Sequence, residues 1–298
     1  SRVSGLANLR NRSRLLKKLG HRVFGLSAER QLPHWASHPF SDTAYEAGEN
    51  RNGELVLFAD TFNRYFDPDV LWAAVRVLTK AGYRVHLPSA RGRERRPLCC
   101  GRTYLASGMT QRAKEEAQRT LNAIQPYLEA GMPVVGLEPS CLFTFKDEIP
   151  SLLPGEITTR LADQAQMFEQ FLLGEGYRGF SQLEWTSSQG QKAFVHGHCH
   201  QKAFNAHGAG AQLMREIPGL TAEAIPSGCC GMAGAFGYQS ETQEVSSRMA
   251  ELDLLPAVRG TDTSDWLVAD GFSCRHQIKD LAHRDARHTA QVLAGMLA

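Results

Sequence analysis

Short apolar runs bounded by turn residues recur along the chain at 54–60, 83–88, 133–138, 192–198, 221–226 and 266–270. Between them, apolar residues return every three or four positions: Val70, Leu71, Ala74, Val75 and Leu78 over 68–81, then Ala113, Ala117, Leu121, Ile124 and Leu128 over 110–130. The first pattern predicts buried strands and the second amphipathic helices. Their alternation implies βαβ units, hence an α/β fold with parallel sheets covered on both faces. We expect two pseudo-symmetric, Rossmann-like lobes of three strands each, binding ligands at the carboxyl ends of those strands. The expected organisation is an N-terminal amphipathic helix and linker over 1–50, a first lobe over 51–155, a connecting helical segment over 156–190 with its helix at about 156–176, and a second lobe over 191–298 closed by a helix over 277–297.

Residues 5–20 set Leu6, Leu9, Leu15, Leu16 and Leu19 among Arg10, Arg12, Arg14, Lys17 and Lys18, a basic amphipathic helix. We read it as docking on its own or a preceding domain in preference to a membrane or nucleic acid. From Leu32 to Ser41, Pro33 and Pro39 bar regular helix and predict an irregular linker.

The chemistry concentrates in the cysteines. Ser227-Gly228-Cys229-Cys230-Gly231 places two adjacent cysteines between glycines. Adjacent cysteines pair only through a strained ring, so the arrangement suits two thiolates aimed at one soft metal centre. A second copy stands upstream as Cys99-Cys100-Gly101, and each pair is followed at closely matched distance by a lone cysteine, Cys141 or Cys274. That internal repeat uses six of the seven cysteines. The seventh, Cys199, ends a predicted strand in the second half, whereas the corresponding strand end of the first half carries Asp60. The second copy therefore offers four sulfurs, and the first offers Cys99, Cys100 and Cys141 with a hard carboxylate, a degenerate site.

Four thiolates from Cys199, Cys229, Cys230 and Cys274 suit an iron–sulfur cluster or a zinc ion, and spacing does not choose between them. Plain buried cysteines explain a duplicated Cys-Cys-Gly poorly. His196, His198 and His200 alternate, so on a strand they share one face. His198 and His200 are candidates to ligate the metal or donate hydrogen bonds to a sulfur. Arg275 and His276 either neutralise charge at the site or lie in solvent, and Lys192 and Lys202 are expected at the surface. Gly231, Gly234 and Gly237 lack the spacing of a phosphate cradle and read as close packing around the cysteines.

Size and charge narrow the partners. The 298 residues, 42% of them hydrophobic, can bury a full core, and a net charge of +2 gives no general affinity for nucleic acid. No apolar run is long enough to span a bilayer, and residues 1–19 lack the apolar stretch of a signal peptide. Seven clustered cysteines point to reduced, cytoplasmic metal or redox chemistry instead of a secreted disulfide scaffold. The missing initiator methionine leads us to expect a fragment of something longer.

With these residues assembled, the chain resembles the cysteine-rich CCG domain found in heterodisulfide reductase and in the iron–sulfur subunits of glycolate oxidase and anaerobic glycerol-3-phosphate dehydrogenase. The strings Leu137-Glu138-Pro139-Ser140-Cys141, Gly197-His198-Cys199-His200-Gln201-Lys202-Ala203 and Ser273-Cys274-Arg275-His276-Gln277-Ile278 are most similar to the C-terminal part of fused FAD-binding, iron–sulfur D-2-hydroxyacid dehydrogenases acting on D-lactate, glycolate or D-2-hydroxyglutarate. The resemblance implies an iron–sulfur electron-transfer module with a [4Fe-4S] cluster at Cys199, Cys229, Cys230 and Cys274. FAD and ferredoxin-like clusters would sit on domains of the same or a partner polypeptide, and electrons would pass to a quinone or other acceptor. It implies a cytoplasmic location, with the inner face of the membrane open to it, and a chain that is not catalytic alone. Zinc-held or metal-free docking and thiol–disulfide reduction of the heterodisulfide type are the alternatives. Here Gln277 and Thr144 stand where the family's final cysteines would be.

Overall fold

Each of the six apolar runs forms a strand. In the first half, β1 (Tyr45–Ala47), β2 (Gly53–Phe58), β3 (Tyr83–Leu87), β4 (Val134–Gly136) and β5 (Ala165–Met167) make a sheet in the order β1-β3-β2-β4-β5. Only β1 runs antiparallel, with Tyr45 opposite Leu87. In the second half, β6 (Lys192–His196), β7 (Thr221–Ala224), β8 (Trp266–Ala269) and β9 (Ala286–Arg287) form a wholly parallel sheet in the order β7-β6-β8-β9. This computed structural model describes residues 4–40, 45–89, 96–188 and 190–298.

The chain divides into two units. The β1–β5 unit comprises Phe40–Arg64, Asp69–Thr186 and Ala290–Ala298, and the β6–β9 unit comprises residues up to Pro39, Tyr65–Pro68 and Ser187–Thr289. The fold is α/β, and the two sheets share one plan. Leaving aside the antiparallel β1, each begins at an inner strand, β2 or β6, steps to one side for β3 or β7, then crosses to the other for β4 and β5 or for β8 and β9. That reversal creates a switch point between β2 and β4, and between β6 and β8, where the loops leaving neighbouring strands diverge and open a crevice.

Why these residues form these layers follows from burial. Leu55, Val56 and Leu57 of β2 are fully buried, as expected of a parallel strand with helices on both faces. The helix Pro68–Lys80 buries Val70, Leu71, Ala74, Val75, Val77 and Leu78. Each large member of that set contributes about 1.5–3 kcal/mol by leaving water. Thr110–Glu129 buries Ala113, Ala117, Leu121, Ile124 and Leu128 on its inner face.

Several elements differ from expectation. The stretch 156–176 is not one helix: Glu156–Gln164 ends at Ala165, and β5 follows, paired to β4, before Phe168–Leu173. The closing segment likewise splits into Phe272–Ala282, β9 and Thr289–Met296, because the backbone at His283 turns left-handed. With β1, β5 and β9 added, each sheet holds more than three strands. The basic N-terminal helix is two, Ser4–Arg12 and Arg14–Phe24, the second capped by Ser13. The linker is irregular from Leu32 through Phe40, and Ser41 lies outside the described residues. No helix among the described residues is long and apolar enough to cross a membrane.

Candidate metal centre

In the β6–β9 unit, three strand ends deliver the cysteines. β6 stops at the buried His196, and His198 then caps the helix Cys199–Ala203. The His198 ring accepts the backbone N–H of His200 at 3.1 Å, while Gln201 Oε1 accepts the N–H of His198 at 2.9 Å. Gln201 Nε2 in turn donates to Asp270 Oδ2 at 2.9 Å. Asp270 is fully buried; burial pushes its carboxyl up, but His288 and hydrogen bonds from Thr289 and Gln201 outweigh this and hold it below the usual range. A buried anion thus orients Gln201, Gln201 fixes the cap, and the cap fixes Cys199.

The Cys-Cys-Gly segment follows β7. Lys202 Nζ donates to the carbonyls of Ser227 and Gly228, the latter at 2.8 Å, so this lysine clamps the loop instead of lying free at the surface. Gly231 has φ +82°, and a Cβ there would sit 2.2 Å from the carbonyl oxygen of Ser246. Only glycine tolerates both demands, and the turn aims the Gly231 N–H at Cys229 Sγ, 3.3 Å away. Cys274 enters from the first turn of Phe272–Ala282, just after β8.

These residues meet. Sulfur-to-sulfur hydrogen bonds link Cys199 with Cys229, Cys229 with Cys230, and Cys230 with Cys274. The ligand atoms of His196, Cys230 and Cys274, all buried, lie within 4.8 Å of one another. His196 Nδ1 bonds Ser227 Oγ at 2.8 Å, and the ring is also hydrogen-bonded to the Cys274 sulfur, leaving its buried Nε2 no nitrogen or oxygen partner. The four thiols divide their protons unequally. Cys229 is held well below its ordinary value by donation from Cys199 and Cys230 and from the Gly231 N–H. Cys274 is lowered by Cys230 and then by His196 and His198, while Cys199 and Cys230, as the donors, are raised. Sulfur anions beside a buried imidazole nitrogen form a donor set that fits a soft metal ion or an iron–sulfur cluster.

The sequence does not single out His196, because alternation sets all three histidines on one strand face. The strand ends at His196, His198 is a cap and His200 is helical, its ring edge-on to His198 at 5.1 Å between centroids. His198 Nδ1 lies 3.8 Å from Cys199 Sγ. Arg275 is neither solvated nor turned to the cysteines: it donates to the carbonyls of Ala269 and Asp270 and pairs with Asp67 at 3.1 Å. His276 is pushed down to about 4, first by burial and then by the charge of Arg30.

The β1–β5 unit repeats this geometry with different chemistry. Gly101 has φ +84° and directs its N–H at Cys99 Sγ, 3.5 Å away. Cys141 is the third residue of Pro139–Lys146, as Cys274 is of Phe272–Ala282. At the end of β2, Asp60 caps the helix Thr61–Tyr65 by accepting the N–H groups of Phe62 and Asn63 at 2.9 and 3.0 Å. The matching cap in the other unit is His198, not Cys199. Thr61 therefore occupies the position of Cys199 and hydrogen-bonds Cys99, as Cys199 does Cys229. Phe58 ends β2, paired to Gly136, where His196 ends β6, paired to Ala269. Asp60 is thus a cap beside the first trio and not a replacement for the leading sulfur.

Its surroundings disfavour thiolates. Hydrogen bonding to Cys100 and burial raise Cys99, and Cys100 rises by donating to Cys141. Cys141 accepts the Cys100 thiol, which lowers it, yet burial and the carboxyls of Asp60 and Glu138 carry it up to about 12. Burial, then the charge of Glu138, push Asp60 up to about 7 from an ordinary 3.8. The folded state accordingly binds an extra proton between about pH 4 and 7, and stability falls as pH rises through that window. Asp60→Asn keeps an oxygen for the two N–H groups, loses the Oδ2 that accepts Asn63 Nδ2 at 2.7 Å, and is expected to remove roughly 2–4 kcal/mol of the decline between pH 5 and pH 8. Urea denaturation at pH 5 and pH 8 measures it; an unchanged slope would mean Asp60 is already ionised in the fold.

Known proteins resemble this chain along most of its length. The chain is 28% identical over 94% of its length to a D-2-hydroxyglutarate dehydrogenase of Escherichia coli, and 27% identical over 82% to one of the subunits of anaerobic glycerol-3-phosphate dehydrogenase in the same organism. A D-2-hydroxyglutarate dehydrogenase of Haemophilus influenzae is 23% identical over 89%. The chain spans 27% of the first relative's length and 59% of the second's. Residues 61–146, which begin at Thr61 and take in Cys99, Cys100 and Cys141, match the cysteine-rich domain family designated CCG. Over residues 61–146, then, the chain is similar to the cysteine-rich CCG domain.

Proposed function

We propose that this chain is the iron–sulfur electron-transfer module of a flavin-dependent D-2-hydroxyacid dehydrogenase, with one [4Fe-4S] cluster held in the β6–β9 unit by Cys199, Cys229, Cys230 and Cys274. The observation that carries the reading is the continuous hydrogen-bonded row of those four sulfurs, two of them lowered toward thiolate, with Cys230 and Cys274 within 4.8 Å of a buried His196 nitrogen. A bound cluster supplies one-electron transfer at a potential set by charge, hydrogen bonds and solvent access. The chain's own residues govern those three factors. The Gly231 N–H stabilises charge on Cys229, and His196 stands beside Cys230 and Cys274. Cys199 is exposed and forms the solvent side, flanked by His198 and His200.

The similarity to D-2-hydroxyglutarate dehydrogenases supports a 2-hydroxy acid as the substrate of the parent enzyme. FAD and ferredoxin-like clusters would be carried on domains beyond these residues, and the module would hand electrons to a quinone or another acceptor in the cytoplasm. The β1–β5 site, with Thr61 in place of a cysteine, is a structural relic in this reading. Iron, sulfide and zinc analysis of anaerobically purified protein tests the proposal, with electron paramagnetic resonance before and after dithionite. About four irons per chain and a redox-responsive signal are expected. Stoichiometric zinc without a signal would replace the redox module by a structural site.

A further inference from the structure

The two N-terminal helices present an apolar stripe that nothing in their own unit covers. Leu15, Leu19 and Val23 follow one another at four-residue steps along Arg14–Phe24 and are 80%, 55% and 59% exposed. Phe24, at the end of the same helix, is 74% exposed, and Leu6 and Leu9 of Ser4–Arg12 are 72% and 47% exposed. The helix docks by another side, where Gly20 is buried so closely that a Cβ would meet Arg10 Nε at 3.2 Å. Six large apolar residues at the surface within one short segment are far more than solvation accounts for.

The charge of the segment says what should cover it. From residue 4 to residue 28 there are six lysines and arginines, namely Arg10, Arg12, Arg14, Lys17, Lys18 and Arg22, and no aspartate or glutamate. At 100° per residue, Lys18 and Arg22 run along the flank of the Leu15–Leu19–Val23 stripe. An aliphatic stripe bordered by cations is the arrangement of a helix lying in the plane of an anionic membrane surface, with the apolar groups among the acyl chains and the long basic side chains at the headgroups. Nucleic acid has no use for the exposed leucines, whereas an anionic lipid surface engages both the aliphatic stripe and the cations beside it.

We propose that the exposed face of Ser4–Arg12 and Arg14–Phe24 binds an anionic phospholipid surface and brings the β6–β9 unit to it. The inference is independent of which metal the cysteines hold. Sedimentation of the full chain with vesicles of phosphatidylglycerol mixed with phosphatidylcholine, compared with phosphatidylcholine alone, tests it. Binding should be about tenfold or more stronger on the anionic vesicles at low salt and should weaken as salt screens the charges. The triple change Leu15→Ser, Leu19→Ser and Val23→Ser, and separately the pair Lys18→Glu and Arg22→Glu, should each reduce binding about tenfold or more. All five positions are exposed, so unchanged circular dichroism of both variants is expected to accompany the loss. Failure of the unaltered chain to pellet with anionic vesicles overturns the proposal. So does self-association that the triple change abolishes without any vesicle binding, or retention on duplex DNA in place of vesicles.

Discussion

Replacing Cys230 by serine is expected to strip the metal centre, taking iron from about four per chain to near zero, whereas Cys141→Ser leaves the iron in place. Cys230 is buried, and its sulfur lies within 4.8 Å of both Cys274 and His196. A serine oxygen there is a hard, neutral hydroxyl that neither a cluster nor a soft ion accepts in exchange for a thiolate. Cys141 occupies the matching position to Cys274 in the other unit, but burial and then the neighbouring carboxyls push its thiol up. Iron and sulfide analysis with visible absorption reads both variants. The opposite pattern would move the centre to the β1–β5 unit and make the β6–β9 cysteines the relic.

Arg30→Ala is expected to cost about 3–5 kcal/mol of stability, the range for removing one partner of a buried ion pair. The Arg30 guanidinium is buried, pairs with Asp280 at 3.0 Å and donates to Gln277 Oε1. Burial already raises the Asp280 carboxyl in spite of Arg30 beside it, so losing the arginine leaves an uncompensated charge or forces protonation. Gln277 also donates to Ser246, whose carbonyl closes on Gly231. The loss is therefore expected to reach the Cys-Cys-Gly turn, and metal content should fall along with the urea midpoint. Adding Asp280→Ala should restore part of the stability, since the stranded charge goes with it. A single variant as stable as the parent would show that Asp280 is solvated and Arg30 dispensable.

Much of this is legible in the residues. The six strands predicted from apolar runs exist because a parallel strand covered on both faces must be apolar throughout, as Leu55, Val56 and Leu57 are. β5 and β9 are hidden because three and two residues, held by pairing to β4 and β8, leave no periodic trace. The cysteines are readable as one constellation because of their duplication. The partnership of His196 with them is not, since it depends on where β6 stops, and a strand end cannot be told from sequence to one residue. The same uncertainty of register sets Asp60 at the position that Thr61 occupies. Arg30 carries no signal at all: its partners Gln277 and Asp280 lie far along the chain, and only the folded β6–β9 unit brings them together.

That unit is interleaved in sequence with the other. Its segment up to Pro39 is synthesised before the β1–β5 strands, but Gln277 and Asp280 come well after them. During synthesis the β1–β5 sheet can pair all its strands while Arg30 waits exposed, and the β6–β9 unit closes only once residue 280 has been added. Cys274 arrives in the same late stretch. Chains stalled ahead of it consequently can have a paired first sheet but no assembled cysteine site, so the proposed centre could be loaded only in molecules that have passed that point.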